Sequence, residues 1–267
     1  MTSPADRQIA VTLDARPKGL VATVVIDNAH RLNSMNSALM SELVQALEGL
    51  GANPDLRVLI LTGAGDRAFI GGADIKAMAL IDGPDAARAF IGQVHACCAA
   101  VRAIPVPTIA RIQGFTFGAG LEMAAACDLR IAAESAQFGM PEVRLGIPSV
   151  VEAALLPLLI GWGRARRLLL TGETIDAERA LAWGLVEEAV PLADLDAAVE
   201  ASVTEILACA PAAVRLQKAL IGAWEDLPLK AAIAAGVGAF AAAYQTEEPA
   251  RAMADFLEAQ ATRKARP

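Results

Sequence analysis

The sequence predicts an α/β fold that gives way to an all-helical C-terminal region. Two observations carry the α/β part: strand-length runs of β-branched or apolar residues alternate with helical patterns from Ile9 to Trp183, and Gly or Pro closes many of those runs. A third carries the rest, since from about residue 195 onward only the helical period remains. Taken in order, IAVTLD (9–14) and LVATVVID (20–27) flank a Pro17-Lys18-Gly19 turn and read as a hairpin. A helix follows, which Asn36 or Ser37 can cap, with Leu39, Met40, Leu43, Leu47 and Leu50 at helical spacing until Gly51. RVLILTG (57–63) is almost wholly apolar, as a buried strand is. The alternation then gives helix 84–103, strand 106–112, helix 118–126, strand 128–133, and helices 151–160, 164–170 and 176–183. Beyond them, Leu195, Val199, Val203, Ile206 and Leu207, then Val214 to Leu220, mark Ala-rich helices with no strand to join, which must pack on a neighbour or on the core.

At 267 residues, 55% apolar and 20% charged, the chain can bury a large core as one domain or as a domain with an appendage. MTSPADRQIA has no apolar run after Asp6 and Arg7, which argues against a secretory or transit peptide and for a cytoplasmic protein. The uncharged stretches Ala153–Trp162 and Ala231–Tyr244 fall short of the roughly 20 apolar residues of a spanning helix, so no membrane segment is expected. Cys97, Cys98, Cys127 and Cys209 include no CxxC pair, and His30 and His95 are far apart. This argues against a zinc site and a disulfide framework and for buried, reduced thiols. A net charge of −7 argues against a nucleic-acid groove, so an anionic ligand must find local cations.

Three Gly-rich stretches stand out: 61–78, 113–128 and 160–167. None is a dinucleotide fingerprint, because Met123 and Arg166 occupy the third-glycine positions, and GxxxxGK[ST] and GxSxG are absent. The candidate chemistry is therefore carboxylate chemistry. Glycines before a helix let free N–H groups approach a ligand oxygen, and the helix opening at FGAG carries Glu122 in its first turn. By itself that Glu is equally a complement to the helix dipole. Gly71-Gly72-Ala73-Asp74 forms a second such loop with Asp74 as N-cap of IKAM, and Glu142 follows Pro141 in a loop or a short first turn, where an isolated Glu is usually solvated or a cap.

These segments, in order and spacing, resemble the enoyl-CoA hydratase/isomerase (crotonase) family: TGAGDRAFIGGADIKAM, then PTIARIQGFTFGAGLEMAAACDLRIAAESAQFGMPEVRLGIP, then LLLTGETIDAERALAWGLVEEAVP. The resemblance covers nearly the whole chain. It implies a right-handed spiral of ββα turns over 1–195 holding an acyl-CoA site, and a helical oligomerisation region over 196–267 supporting homotrimers or hexamers. It also implies an oxyanion hole from the N–H groups of Ala73 and Ala119, each such donor worth about 3 kcal/mol of barrier. Both glutamates of the hydratase pattern are present, Glu122 in the GxGxE context and Glu142 in the PE context. The implied reaction is addition of water across the 2,3-double bond of a trans-2-enoyl-CoA, with Glu122 on the water and Glu142 on the α-carbon. No cofactor is implied beyond the coenzyme A of the substrate, and no metal. The same fold also hosts isomerases, decarboxylases and hydrolases acting on thioester enolates, and a non-catalytic RNA or acyl-CoA binder is the reading from another class.

By the same resemblance Arg31, Gly72, Asp74, Ile75, Lys76 and Gly118 contact substrate, with Arg31 and Lys76 near the nucleotide end; Arg263, Lys264 and Arg266 reach a neighbouring subunit's coenzyme A; and Asn33 fixes a turn. Ala29 stands where Pro is frequent in the family. A larger departure is Ser149-Val150-Val151-Glu152-Ala153-Ala154, which replaces a Gly-rich stretch beside the acyl pocket. S-x-x-E there reads as a capping box with Glu152 turned to solvent, the alternative being a third carboxylate facing the pocket.

Overall fold

The computed structural model describes residues 9–264, with side chains through Ala261. The hairpin forms as expected: β1 (Ile9–Arg16) and β2 (Gly19–Ile26) pair antiparallel, Arg16 opposite Gly19. Helix α1 (Ser37–Gly51) follows, and Asn36 is its cap, accepting from the Leu39 N–H at 2.9 Å. From there the chain runs in turns, each a sheet strand, then a very short strand, then helix. The first turn is β3 (Leu56–Gly63), β4 (Ala68–Ile70), α2 (Ile75–Met78) and α3 (Gly83–Ala103), and the second is β5 (Thr108–Ile112), β6 (Phe115–Phe117) and α4 (Ala119–Ala126). The third is β7 (Leu129–Ala133), β8 (Gln137–Gly139), two 3-10 segments (Pro141–Leu145 and Val151–Leu155), α5 (Leu156–Ile160) and α6 (Trp162–Thr171). β9 (Thr174–Asp176), α7 (Ala177–Trp183) and β10 (Glu188–Val190) close the series.

The longer strands build a six-stranded sheet in the order β1-β2-β3-β5-β7-β10, parallel except for the hairpin. The short strands build a second sheet, β4-β6-β8-β9, parallel except for its last pair. This is the spiral of ββα turns that the resemblance implies. The second sheet was not legible from the sequence, because its strands have three residues each and lie in glycine-rich or polar stretches, too short to show a period of two.

β3 is buried on both faces, which accounts for its unbroken apolar run. On one side Leu59 and Leu61 meet the main core, where α1 inserts Leu39, Met40, Leu43, Leu47 and Leu50, the face its spacing predicts. On the other, Val21, Val58, Ile109 and Ile131 are covered by α8 (Leu195–Ala208) through Leu195, Val199, Val203 and Leu207. Fully burying each such side chain contributes about 2 kcal/mol. Among the described residues, every α or β element after Val190 is helical: α8, α9 (Pro211–Asp226), α10 (Leu229–Ala243) and α11 (Glu248–Lys264).

The helix expected over 151–160 is broken. Pro157 has no N–H to give to Ala153, so the segment before it tightens into a 3-10 turn and the α-helix starts at Leu156. The thiols are all free, but the burial expected of them fails at Cys209. That residue ends α8 on the surface, while Cys97, Cys98 and Cys127 are buried. No single helix among the described residues is both long and apolar enough to cross a membrane.

Candidate active site

Two glycine loops from successive turns of the spiral meet at one cavity. In the first, an isolated parallel bridge ties Met35 to Ala73: the Met35 N–H donates to the Gly72 carbonyl and the Asp74 N–H to the Met35 carbonyl, each at 2.9 Å. Both bonds of the bridge thus involve the neighbours of Ala73, and the Ala73 N–H stays outside the pairing. In the second, Gly118 has φ +51 and ψ −122, a conformation open to glycine, and it starts α4 so that the Ala119 N–H lies ahead of the intrahelical ladder. A methyl group at Gly120 would collide with the backbone carbonyl of Ile70, so glycine there lets the two loops lie against each other.

A cavity of ≈ 690 Å³ opens at this junction, lined by Gly72, Ala73, Ile75, Gly118, Ala119, Glu122 and Glu142 among others. Glu122 stands in the first turn of α4 and is 4% exposed. Glu142 comes from the 3-10 turn Pro141–Leu145, and a Cβ at Gly118 would strike its Oε1. Its other oxygen, Oε2, accepts from the Ser149 hydroxyl at 2.8 Å. Burial, then the charge of Glu142 and that of Glu152, pushes the Glu122 carboxyl up to about 8, against an opposing backbone hydrogen bond from Ala153. At neutral pH Glu122 therefore holds a proton.

The other expected contact residues divide. Asp74 is the N-cap of α2, accepting from the Lys76 N–H at 2.8 Å, and it pairs with Arg31 at 2.9 Å. Neither it, Arg31 nor Lys76 lines the cavity. Arg263, Lys264 and Arg266 lie outside the described side chains. Asn33 ties its turn as expected: its amide N–H groups donate to the carbonyls of Ala64 and Ala68 at 3.0 and 2.8 Å, and its Oδ1 accepts from the Asn28 N–H.

The capping box expected at Ser149 and Glu152 does not form. Val150 is the N-cap, without a side-chain bond; the Ser149 hydroxyl instead donates to Oε2 of Glu142. Glu152 is neither turned to solvent nor part of the cavity wall. It is buried, with Oε1 at 2.7 Å from Nδ1 of His95.

Unforeseen from the sequence is the apolar wall of the cavity: Met78, Ile81, Ala87, Phe90, Ile91 and Val94, facing Leu145, Ile147 and Val150. Ala87, Ile91, Val94 and Val101 form one helical stripe, which reads as core. Ala87 and Ile91 wall the cavity, Val94 belongs to both wall and core, and Val101 is core. Among the described residues, no three His, Cys, Asp or Glu side chains converge as a metal site would require.

A slot walled largely by apolar side chains, with two uncommitted amides and two carboxyls at its base, suits an acyl group whose carbonyl oxygen gains charge. Known proteins agree with that description. The family model for enoyl-CoA hydratase/isomerase matches residues 16–264. A probable enoyl-CoA hydratase of Mycobacterium bovis is 35% identical over 242 residues, covering 90% of this chain and 93% of that one. A crotonyl-CoA hydratase of Syntrophomonas wolfei is 34% identical over 239 residues, 89% of this chain and 92% of its own. The crystal structure of an enoyl-CoA hydratase from Bacillus anthracis superposes with a TM-score of 0.88 at 34% identity, over 94% of this chain and 96% of that one. Fold and sequence similarity thus coincide over almost the whole length, and the chain belongs to the enoyl-CoA hydratase/isomerase family.

Proposed function

We propose that this chain is an enoyl-CoA hydratase that adds water across the 2,3-double bond of trans-2-enoyl-CoA thioesters. The observation that carries the reading is the presence of both Glu122 and Glu142 on one cavity with the Ala73 and Ala119 amides. With the thioester oxygen against those two N–H groups, charge that develops on it as an enolate is stabilised by fixed dipoles, about 3 kcal/mol of barrier for each. The water's hydroxyl joins the β-carbon, its proton passes to the ionised carboxyl, and the neutral carboxyl protonates the α-carbon. Atoms balance and no electrons change hands, so the step calls for no cofactor beyond the substrate's own coenzyme A. The resting proton on Glu122 supports Glu142 as the group that takes the water's proton, whereas the family resemblance implies the opposite division.

Gly72, Ile75 and Gly118 serve as substrate contacts in this reading, and Arg31, Asp74 and Lys76 sit in or next to the same loop and supply charge there. The reading includes a homotrimer or hexamer, supported by the apolar residues α10 and α11 leave exposed, and a cytoplasmic site of action, supported by four free thiols. Adding crotonyl-CoA tests the activity: the conjugated thioester absorbance should fall and mass spectrometry should find a product heavier by one water. A product of unchanged mass with a moved double bond, or release of free coenzyme A, would replace hydration with isomerisation or hydrolysis.

A further inference from the structure

The two carboxyls of the cavity are held very differently. Glu122 stands in α4, all eight residues of which are buried, whereas the 3-10 turn that carries Glu142, Pro141–Leu145, buries none of its own. The last torsion of a glutamate is broad and roughly two-fold, so a backbone that places the Cα of Glu142 leaves the plane of its carboxyl undecided. A second contact has to aim it.

That contact is on the page. Oε1 of Glu142 lies against Gly118, where an added Cβ would strike it, beside the Ala119 that opens α4. Oε2, on the other side, accepts from the Ser149 hydroxyl at 2.8 Å. Among the described residues no other side chain bonds this carboxyl. The chain between the two residues is shaped to bring them together: Gly146 turns it at φ +81, and the Ile147 N–H closes back on the Glu142 carbonyl at 3.2 Å. Ser149 thus returns, seven residues on, to face the side chain of Glu142. Its neighbours Pro148 and Val150 both line the cavity. Just beyond, Val151 has φ +42, a left-handed conformation that β-branched side chains avoid, so packing overrides local preference in this stretch. The segment stands in place of a Gly-rich one, and glycine has no hydroxyl to offer.

We propose that Ser149 is a positioning residue, whose hydroxyl fixes Oε2 of Glu142 and so presents Oε1 at the Gly118–Ala119 end of the cavity. Its catalytic significance rests on the hydratase reading, in which Glu142 takes the water's proton; the orientation of the carboxyl does not. Ser149→Ala should lower kcat for crotonyl-CoA by about tenfold, the size of one lost hydrogen bond, with KM changed by less than about twofold. Ser149→Thr keeps the hydroxyl and should restore kcat. In a Glu142→Ala background, Ser149→Ala should cost nothing further, because the group it aims is gone. A merely structural role would lower both backgrounds alike. Infrared spectra give a readout besides activity: the Glu142 carboxyl band, identified by its loss in Glu142→Gln, should shift in Ser149→Ala. An unmoved band, an equal fall in the two backgrounds, or a Thr variant no faster than the Ala variant overturns the proposal. A band that shifts in a protein whose wild type does not hydrate crotonyl-CoA refutes the hydratase reading and leaves the positioning standing.

Discussion

Glu122 shows how a single residue is set against the fold that holds it. Its ordinary value of 4.5 rises to about 8, so between those values the folded chain binds a proton that the unfolded chain has released. Stability from this group is full below pH 4.5, declines through that window and is gone above about 8. Glu122→Gln removes the burial of a charge without changing shape. Its stability should match the wild type near pH 5 and exceed it above pH 8, by a difference on the order of a few kcal/mol that appears as a higher melting temperature. The same substitution, and Glu142→Gln, should lower turnover by about 10²–10⁴ with acyl-CoA affinity nearly intact. Thermal melts at two pH values and steady-state kinetics on both variants check this. Full hydration activity in Glu142→Gln alone would point to a one-carboxyl reaction. Both glutamates could be picked out in the sequence from their motifs, but nothing in it distinguished a buried, proton-holding Glu122 from a solvated helix-dipole complement.

At the scale of elements, the glycines of α4 separate fold from chemistry. Gly118→Ala forces a residue with a side chain into φ +51 and sets its methyl against Oε1 of Glu142, the movable end of a side chain. Backbone strain of this kind costs about 1–3 kcal/mol, so the protein should still fold while kcat falls, because Glu142 is displaced. Gly120→Ala meets the Ile70 backbone, which cannot step aside without opening the contact between the two loops. That variant should be lost to the insoluble fraction or melt far lower. Expression, melting and kcat of the pair test the contrast; a soluble, active Gly120→Ala would refute it. The buried face of α1 was legible to the residue, and that of α8 nearly so, with Ile206 only partly buried. The second sheet and the break before Pro157 were not, because three-residue strands show no period and the apolar spacing of 151–160 reads as one helix although Pro157 interrupts its ladder.

Over the whole molecule, the described chain leaves apolar surface that its own fold does not cover. Leu229, Ile233, Val237, Phe240 and Tyr244 on α10, and Met253, Phe256 and Leu257 on α11, are all more than half exposed. On the proposed reading, another copy of the chain covers this patch. Sedimentation velocity should give trimers or hexamers, and a monodisperse monomer at micromolar concentration would overturn the assembly. The expected boundary between core and oligomerisation region falls at the start of α8, and α8 itself seals the outer face of the six-stranded sheet.

What the sequence determined by itself was periodic or local: the hairpin from its turn residues, the buried strand β3 from its unbroken apolar run, the helix faces from their spacing, and the two glutamates and two glycine loops from their motifs. Each of these is decided by residues within a few positions of one another. The tertiary structure alone decided which loops share a cavity, that the first turns of α3 wall it, that Ser149 serves Glu142, and that Glu152 turns inward to His95. Those outcomes rest on desolvation and on partners dozens of residues away, such as His95 and Glu152, which no local pattern encodes. Ser149 and Glu152 make the point most directly. Their spacing matches a capping box, but the fold gave each a side-chain partner instead.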